Sequence, residues 1–161
     1  MLRLINGGVR MIDNGEKVFG EKLKGIEYIM RVGVYGVVFD SEGKVATMKT
    51  SKGYYLPGGG IENKETHNEC IKREFLEETG YEIVVEKYIN KFSLYHKTKD
   101  NAYLYLVGYF YVVSLKDKTN YITEEDNELV WIEPNQCIMC LNAKHQAWAV
   151  SEALKYKIRL C

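Results

Sequence analysis

The sequence predicts a single domain of the α+β class. Its 161 residues suit one hydrophobic core. Runs of β-branched and aromatic residues predict several strands, and two stretches with helical periodicity predict helices. Only two prolines occur, and no linker-like or low-complexity stretch divides the chain. We therefore expect one folded domain over 28–161, with residues 1–27 as an N-terminal extension packed on it.

The predicted strands are separated by polar turns. Residues 28–39 form a long apolar strand candidate, and the turn "DSEGK" predicts that 44–49 returns beside it as a hairpin. Residues 143–158 have the pattern of an amphipathic C-terminal helix. Residues 1–20 predict either an extra strand or a loose arm. The remaining strand candidates are 82–92, 102–115 and 128–133.

Charge and hydropathy argue against several classes of partner. Lys+Arg and Asp+Glu both number 22, so net charge favours neither polymeric nucleic acid nor a membrane surface. Every apolar run is shorter than the roughly 18–20 residues that span a bilayer. The first 20 residues lack the continuous apolar core of a secretory signal. We expect a cytoplasmic protein.

The four cysteines predict free thiols. They are too few and too unevenly spaced for a disulfide framework. Cys137 and Cys140 have C-x-x-C spacing, but zinc would need two further ligands, and the sequence offers only isolated His145 and Cys161. Buried or half-buried thiols are the expectation.

An acidic helix is the most informative segment. In "GGIENKETHNECIKREFLEETGY" (59–81), Thr66 and Glu69 have the spacing of a capping box, and Gly80 predicts the helix end. At about 100° per residue, Glu74, Glu77 and Glu78 fall within roughly 100° of arc. Such a face is either solvated or holds a cation.

Three features favour a bound cation. Glu74 and Glu78 are a like-charged i,i+4 pair, which is destabilising without compensation. The preceding "LPGGG" brings bare backbone beside the helix start. Carboxylates with a backbone carbonyl make the all-oxygen ligand set that suits Mg²⁺ or Mn²⁺.

The segment resembles the Nudix box of the MutT-like hydrolases, whose pattern is G-x5-E-x7-R-E-U-x-E-E-x-G-U, where U is a bulky apolar residue. All fixed positions are filled, from Gly59 through Glu65 and Arg73 to Tyr81. One departure is Lys64, where relatives often have glycine. The resemblance covers about 28–155. It implies a Nudix fold, an α/β/α sandwich with a mixed β-sheet.

The implied chemistry is Mg²⁺-dependent hydrolysis of the pyrophosphate linkage in a nucleoside diphosphate linked to X. By position, Glu77 and Glu78 would bind the metal directly, and Glu74 directly or through water. The carbonyl of Gly58 would be a further ligand. Arg73 and Glu65 would pin the loop to the helix, with an exposed ion pair as the alternative.

Relatives often add a carboxylate from a downstream loop as ligand or general base. Here "TEEDNELVW" offers Glu124, Glu125, Asp126 and Glu128. Spacing from Trp131 favours Glu125, with Glu128 next and a solvated loop as the alternative. Aromatic rings that could stack on a base are, first, Phe92 and Tyr95, and then Tyr54, Tyr55, Tyr103 and Tyr105.

The resemblance implies that the box positions the pyrophosphate, while the flanking loops select the substrate. Some ADP-ribose hydrolases of the family carry a proline about 15 residues past the box, and this chain has none between Pro57 and Pro134. A nucleoside triphosphate or similar small nucleotide is the first expectation. The alternatives are ADP-ribose, sugar nucleotides, dinucleoside polyphosphates, or a non-catalytic sensor module. The box acids are intact, which favours an enzyme. A homodimer is plausible by family analogy.

Overall fold

The computed structural model describes residues 3–5, 9–11 and 14–159, with side chains for 14–157. The strands are β1 (Arg3–Ile5), β2 (Val9–Met11), β3 (Lys17–Phe19), β4 (Ile29–Val37), β5 (Val45–Thr50), β6 (Gly53–Tyr55), β7 (Gly58–Gly60), β8 (Tyr81–Lys97), β9 (Tyr103–Lys118) and β10 (Glu128–Ile132). The helices are α1 (His67–Thr79), α2 (Pro134–Cys140) and α3 (Lys144–Arg159).

The strands form two sheets. The larger has the order β1-β2-β3-β8-β9-β4-β7 and is mixed, because β3–β8 and β4–β9 are parallel while the other pairs are antiparallel. The smaller is antiparallel with the order β10-β5-β6. The α+β class is confirmed.

The predicted hairpin between β4 and β5 is wrong beyond its turn. Asp40 accepts backbone N–H bonds from Glu42 and Lys44, so the turn forms as expected. Pairing then stops after the Phe39–Val45 bridge. Both edges of β4 are taken, by β9 and β7, so β5 pairs with β10 and β6 in the other sheet.

Helices cover both faces of the large sheet, because its central strands are apolar on both sides. Val34 of β4 packs in one cluster with Ile71 and Phe75 of α1. Val37 packs in the other cluster with Val150 of α3. Strands that are buried between two helical layers typically have nearly continuous apolar sequences. The predicted α/β/α sandwich is confirmed.

The described part of the N-terminal extension joins the large sheet. β3 pairs in parallel with Phe92–Leu94 of β8. Phe19 is buried, and the Lys17 ammonium lies 3.1 Å from the centroid of the Trp148 ring on α3. Of the two expectations for residues 1–20, strand formation is confirmed for 3–5, 9–11 and 17–19, while 1–2, 6–8 and 12–13 lie outside the described residues. The domain boundary at 27/28 stays a prediction.

Sequence reasoning did not predict α2, which has only seven residues and begins with Pro134. It buries Cys137 in the core against α3, and Cys140 is half-buried. Both thiols are free, and burial raises the pKa of Cys137 to about 12. The expectation of free thiols is confirmed for these two and for the buried Cys70, while Cys161 lies outside the described residues. Among the described residues, none of the helices is long and apolar enough to cross a membrane.

Candidate functional site

Both ends of α1 are fixed by the residues that the sequence marks. Glu69 N–H donates to Thr66 Oγ1 at 3.2 Å, and Thr66 N–H donates to Glu69 Oε2 at 2.7 Å, which is a complete capping box. Gly80 ends the helix with φ 75°. Ile71 and Phe75 are fully buried against the sheet. The opposite, glutamate side of α1 lies beside β7, which is the edge strand of the large sheet.

The glycines of β7 allow the helix to approach bare backbone. Gly58 has φ 142°, and a Cβ there would overlap the Val34 carbonyl oxygen. A Cβ on Gly59 would lie 2.5 Å from the carboxyl carbon of Glu74. Only glycine fits such close approaches. The Glu74 carboxylate thus packs directly on the Gly59 backbone.

Arg73 binds three glutamates at once. Its Nε and Nη2 donate to the two oxygens of Glu65 at 3.0 and 2.6 Å. Its Nη1 donates to Glu74 at 2.8 Å and to Glu77 at 3.1 Å, and Nη2 also reaches the Gly60 carbonyl at 3.0 Å. The structure thus brings Arg73 and Glu65 together, as expected. The further bonds to Glu74 and Glu77 were not predicted.

The carboxylates of the site have different affinities for protons. The hydrogen bond from Arg73 lowers the pKa of Glu65 to about 2. Burial raises the pKa of Glu74, although the bond from Arg73 opposes the rise. Burial raises the pKa of Glu78 to about 8, against the opposing N–H bond from Gly58 at 3.0 Å. The negative charges of Glu74, Glu124 and Glu77 add to that rise. Hydrogen bonds therefore offset the burial of these carboxylates unequally. Glu78, whose pKa is raised to about 8, has the least offset.

The downstream loop places Glu124 in electrostatic reach of Glu78. Glu124 is one of the charges that raise the pKa of Glu78. Both side chains are exposed, and Glu124 Oε2 accepts a 3.3 Å bond from Asn127 Nδ2. Counting back from Trp131 could not separate two adjacent residues in a turn. The role of Glu125 stays a prediction, and the electrostatics favour its neighbour.

The two aromatic candidates differ in accessibility. Phe92 is 1% exposed and packs on Phe110 in the α3-side core, so it offers no free ring to a base, and a stacking role for it is wrong. Tyr95 is half-buried and stacks on Tyr105 with centroids 4.5 Å apart. Its role in substrate binding stays a prediction.

Tyr35 is a neighbour of the acids that sequence reasoning missed. Its ring lies against Gly58, as a Cβ on that glycine would be 2.8 Å from Tyr35 Cδ1. Burial raises the pKa of Tyr35 to about 12, with further contributions from Glu78 and Glu74. The residue lies inside an apolar strand, where nothing in the sequence distinguishes it from core tyrosines.

The donor chemistry of this site fits a divalent cation. Glu74, Glu77, Glu78 and the Gly58 carbonyl offer only oxygen, the donor type of Mg²⁺ and Mn²⁺. Among the described residues, no three His, Cys, Asp or Glu side chains are already arranged as a metal site. In this conformation Arg73 binds oxygens of Glu74 and Glu77. Cation binding would therefore compete with Arg73 for those oxygens.

Known proteins match this chain in family and fold. The model of the NUDIX domain family matches residues 29–154. A NUDIX hydrolase from Nitrosomonas europaea has a similar structure, with a TM-score of 0.68, 14% identity, and coverage of 80% of this chain and 91% of that one. A UDP-X diphosphatase gives a TM-score of 0.61 at 17% identity, over 84% of this chain and 68% of that one.

A third similar structure is a MutT protein from Bacillus halodurans, with a TM-score of 0.58, 20% identity, and coverage of 75% of this chain and 80% of that one. No curated protein sequence matches the chain. The family match covers well over half of the 161 residues. The chain belongs to the Nudix family, as its acidic helix predicted.

Proposed function

We propose that this protein is a hydrolase that cuts the pyrophosphate linkage of a nucleoside diphosphate linked to X, and that it needs Mg²⁺, which Mn²⁺ can replace. One observation carries the proposal. Glu74 and Glu78 both contact the bare backbone of β7, Glu74 at Gly59 and Glu78 at the Gly58 N–H. Glu77 reaches the same cluster through Arg73. Convergent oxygens beside an open backbone suit a cation that binds phosphate.

Each residue has a distinct task in this proposal. Glu77, Glu78 and the Gly58 carbonyl hold the cation, and Glu74 holds it directly or through water. When bound, the cation neutralises phosphate charge and makes a bound water more acidic. Arg73 and Glu65 keep the loop at the helix, because their bidentate bond fixes both partners in one geometry.

The proposed reaction is a hydrolysis, in which water is the only co-reactant. A water oxygen attacks one phosphorus, the bridging P–O bond breaks, and the second phosphate leaves with the bond electrons. A carboxylate of the downstream loop accepts the proton of the attacking water. Glu124 and Glu125 are the two candidates for this base. Glu124 is favoured because its negative charge contributes to the raised pKa of Glu78.

Within this reaction class, the first proposed substrate is a nucleoside triphosphate. The absence of proline between Pro57 and Pro134 supports it against ADP-ribose. Similar structures carry names as different as MutT protein and UDP-X diphosphatase, so both classes belong in a test. A cytoplasmic location and a homodimeric state stay predictions of the sequence.

A substrate panel tests the proposal. Nucleoside triphosphates, UDP-sugars, ADP-ribose and dinucleoside polyphosphates are each incubated with the protein and Mg²⁺ or Mn²⁺, and released phosphate, pyrophosphate and nucleoside monophosphate are quantified. We expect hydrolysis that chelation abolishes, fastest with a triphosphate. Faster hydrolysis of another class would correct the substrate. Nucleotide binding without turnover on the whole panel would overturn the enzyme proposal in favour of a sensor.

A further inference from the structure

Gln146 links α3, on the far face of the sheet, to the short segment that leads into the site. It lies in the first turn of α3 and is only 3% exposed. Its Oε1 accepts a 2.8 Å hydrogen bond from the backbone N–H of Leu56, which is 1% exposed. A buried side chain of α3 thus binds the backbone two residues before Gly58.

The segment from Leu56 to Gly58 is held by three elements. The Leu56 N–H binds Gln146 of α3, and the Pro57 carbonyl accepts from Gly36 N–H of β4 at 2.9 Å. The Gly58 N–H donates to Glu78 Oε1 of α1 at 3.0 Å. These three bonds fix the point at which the chain passes between the two helical layers.

A side chain is needed at this point because the segment lies between strands. β6 ends at Tyr55 and β7 begins at Gly58, so Leu56 and Pro57 lie outside both strands. Pro57 has no N–H, and the Leu56 N–H is buried where water does not reach it. A buried N–H without a partner is costly, so Gln146 fills a structural requirement.

We propose that Gln146 is a positioning residue for the Glu78–Gly58 contact: its bond to Leu56 sets the register that places the Gly58 N–H on the Glu78 carboxylate. This part depends on the structure alone. The consequence for catalysis rests on the proposed function, in which Gly58 and Glu78 are ligands. In that case the affinity of the site for a divalent cation depends on Gln146, although Gln146 touches neither cation nor substrate.

A purely structural role needs a matched control, because removing any buried hydrogen bond destabilises a fold. Thr47 provides it. It is fully buried, and its Oγ1 donates to the Val130 carbonyl at 2.8 Å within the small sheet. Thr47→Val therefore removes a buried bond between side chain and backbone without touching Leu56 or Gly58.

The experiment compares Gln146→Leu, Gln146→Glu and Thr47→Val with the unaltered protein. Amide hydrogen exchange at Gly58 is measured by NMR without metal, and Mn²⁺ affinity is measured by electron paramagnetic resonance. We expect Gln146→Leu to speed Gly58 exchange by about tenfold beyond Thr47→Val, the scale of one lost buried hydrogen bond. We also expect Mn²⁺ to bind about fivefold to tenfold more weakly than in Thr47→Val. Gln146→Glu keeps an acceptor oxygen, so it retains most of the protection and affinity.

Different failures point to different conclusions. Equal Gly58 exchange in Gln146→Leu and Thr47→Val would overturn the positioning role, and so would exchange in Gln146→Glu that matches Gln146→Leu. Faster exchange with unchanged Mn²⁺ affinity would restrict Gln146 to the fold and overturn its link to the cation. If the unaltered protein binds no Mn²⁺, the metal proposal fails, while Gly58 exchange still decides the positioning role.

Discussion

Two helices reach the segment between Leu56 and Gly60 from opposite faces of the sheet, and they do so with opposite chemistry. α1 approaches with ionisable groups: Arg73 Nη2 binds the Gly60 carbonyl, and Glu78 binds the Gly58 N–H. α3 approaches with neutral buried groups, of which Gln146 binds the Leu56 N–H. The charged groups of α1 supply the chemistry, and the buried neutral groups of α3 supply the position at which that chemistry occurs.

The α1 and α3 sides of the sheet also differ in how completely their polar side chains are hydrogen-bonded. On the α1 side, Arg73 binds three carboxylates. On the α3 side, His145 is 2% exposed, and its Nδ1 has no hydrogen-bond partner within the described part of the chain. Substitutions of the α1 carboxylates should therefore act on turnover, while substitutions of the buried polar groups of α3 should act on stability and geometry.

The largest effect is expected from Glu77→Gln on the α1 side. The amide keeps the shape of the side chain and removes the charge that would hold the cation. A bound metal ion supplies several kcal/mol to catalysis, so turnover should fall by at least about 10²-fold. The measurement is the rate with the preferred substrate from the panel. Glu82→Gln, at an exposed position of β8, is the control and should keep full activity. Unchanged turnover in Glu77→Gln would remove Glu77 from the metal ligands.

Glu124→Gln and Glu125→Gln separate two adjacent carboxylates. Because Glu124 acts on Glu78 electrostatically, we expect its amide variant to lose about 10²–10⁴-fold in turnover, the range of a lost general base. Glu125→Gln should lose less than about threefold. The two rates, measured at saturating cation, decide the assignment. The reverse order would restore the assignment made from the spacing to Trp131.

On the α3 side, we expect stability to depend on pH through His145. Burial lowers the pKa of His145 to about 4, while the unfolded chain has the ordinary value of about 6.5. The unfolded state thus binds more protons between these values, and the free energy of unfolding falls as pH falls from about 6.5 to about 4. The full contribution of this shift is about 3 kcal/mol. Tyr35, whose ring faces His145, keeps its proton throughout, since its pKa is about 12.

Urea unfolding at several pH values measures this effect. Glutamates of the α1 side also titrate in this range, so the relevant quantity is the difference between the unaltered protein and His145→Leu. His96→Gln, at an exposed position of β8, should keep the slope of the unaltered protein. A His145→Leu slope equal to that of the unaltered protein would show that His145 is not the titrating group.

The same contrast explains what the sequence could and could not predict. The α1 side follows from a local pattern: Thr66, Glu69 and Gly80 bound the helix in the structure as the sequence predicted. The contacts of α3 join residues 90 positions apart, as Gln146 and Leu56 are, and no local pattern reports such a contact. The β4–β5 hairpin failed for a similar reason, because its turn is local while the strand partners are distant.

The smallest effect concerns the loop that leads into α1. Lys64 has φ 59° and Asn63 has φ 47°, both in the left-handed region. That region costs a residue with a Cβ roughly 1–2 kcal/mol, partly offset in Gly by its greater loss of backbone entropy. Lys64→Gly should therefore raise the free energy of unfolding by up to about 1 kcal/mol. Asn63→Gly should do less, because Asn tolerates this conformation.

Lys72→Gly is the matched control for this last substitution. Lys72 is exposed inside α1, where glycine lowers stability by about 1 kcal/mol relative to a good helix former. The same change from Lys to Gly should thus alter the free energy of unfolding with opposite signs at two positions eight residues apart. The same side chain is lost in both variants, and only the backbone conformation differs. Urea unfolding at neutral pH measures both. Destabilisation by Lys64→Gly would show that the lysine side chain, rather than the left-handed backbone, decides stability at this point of the loop.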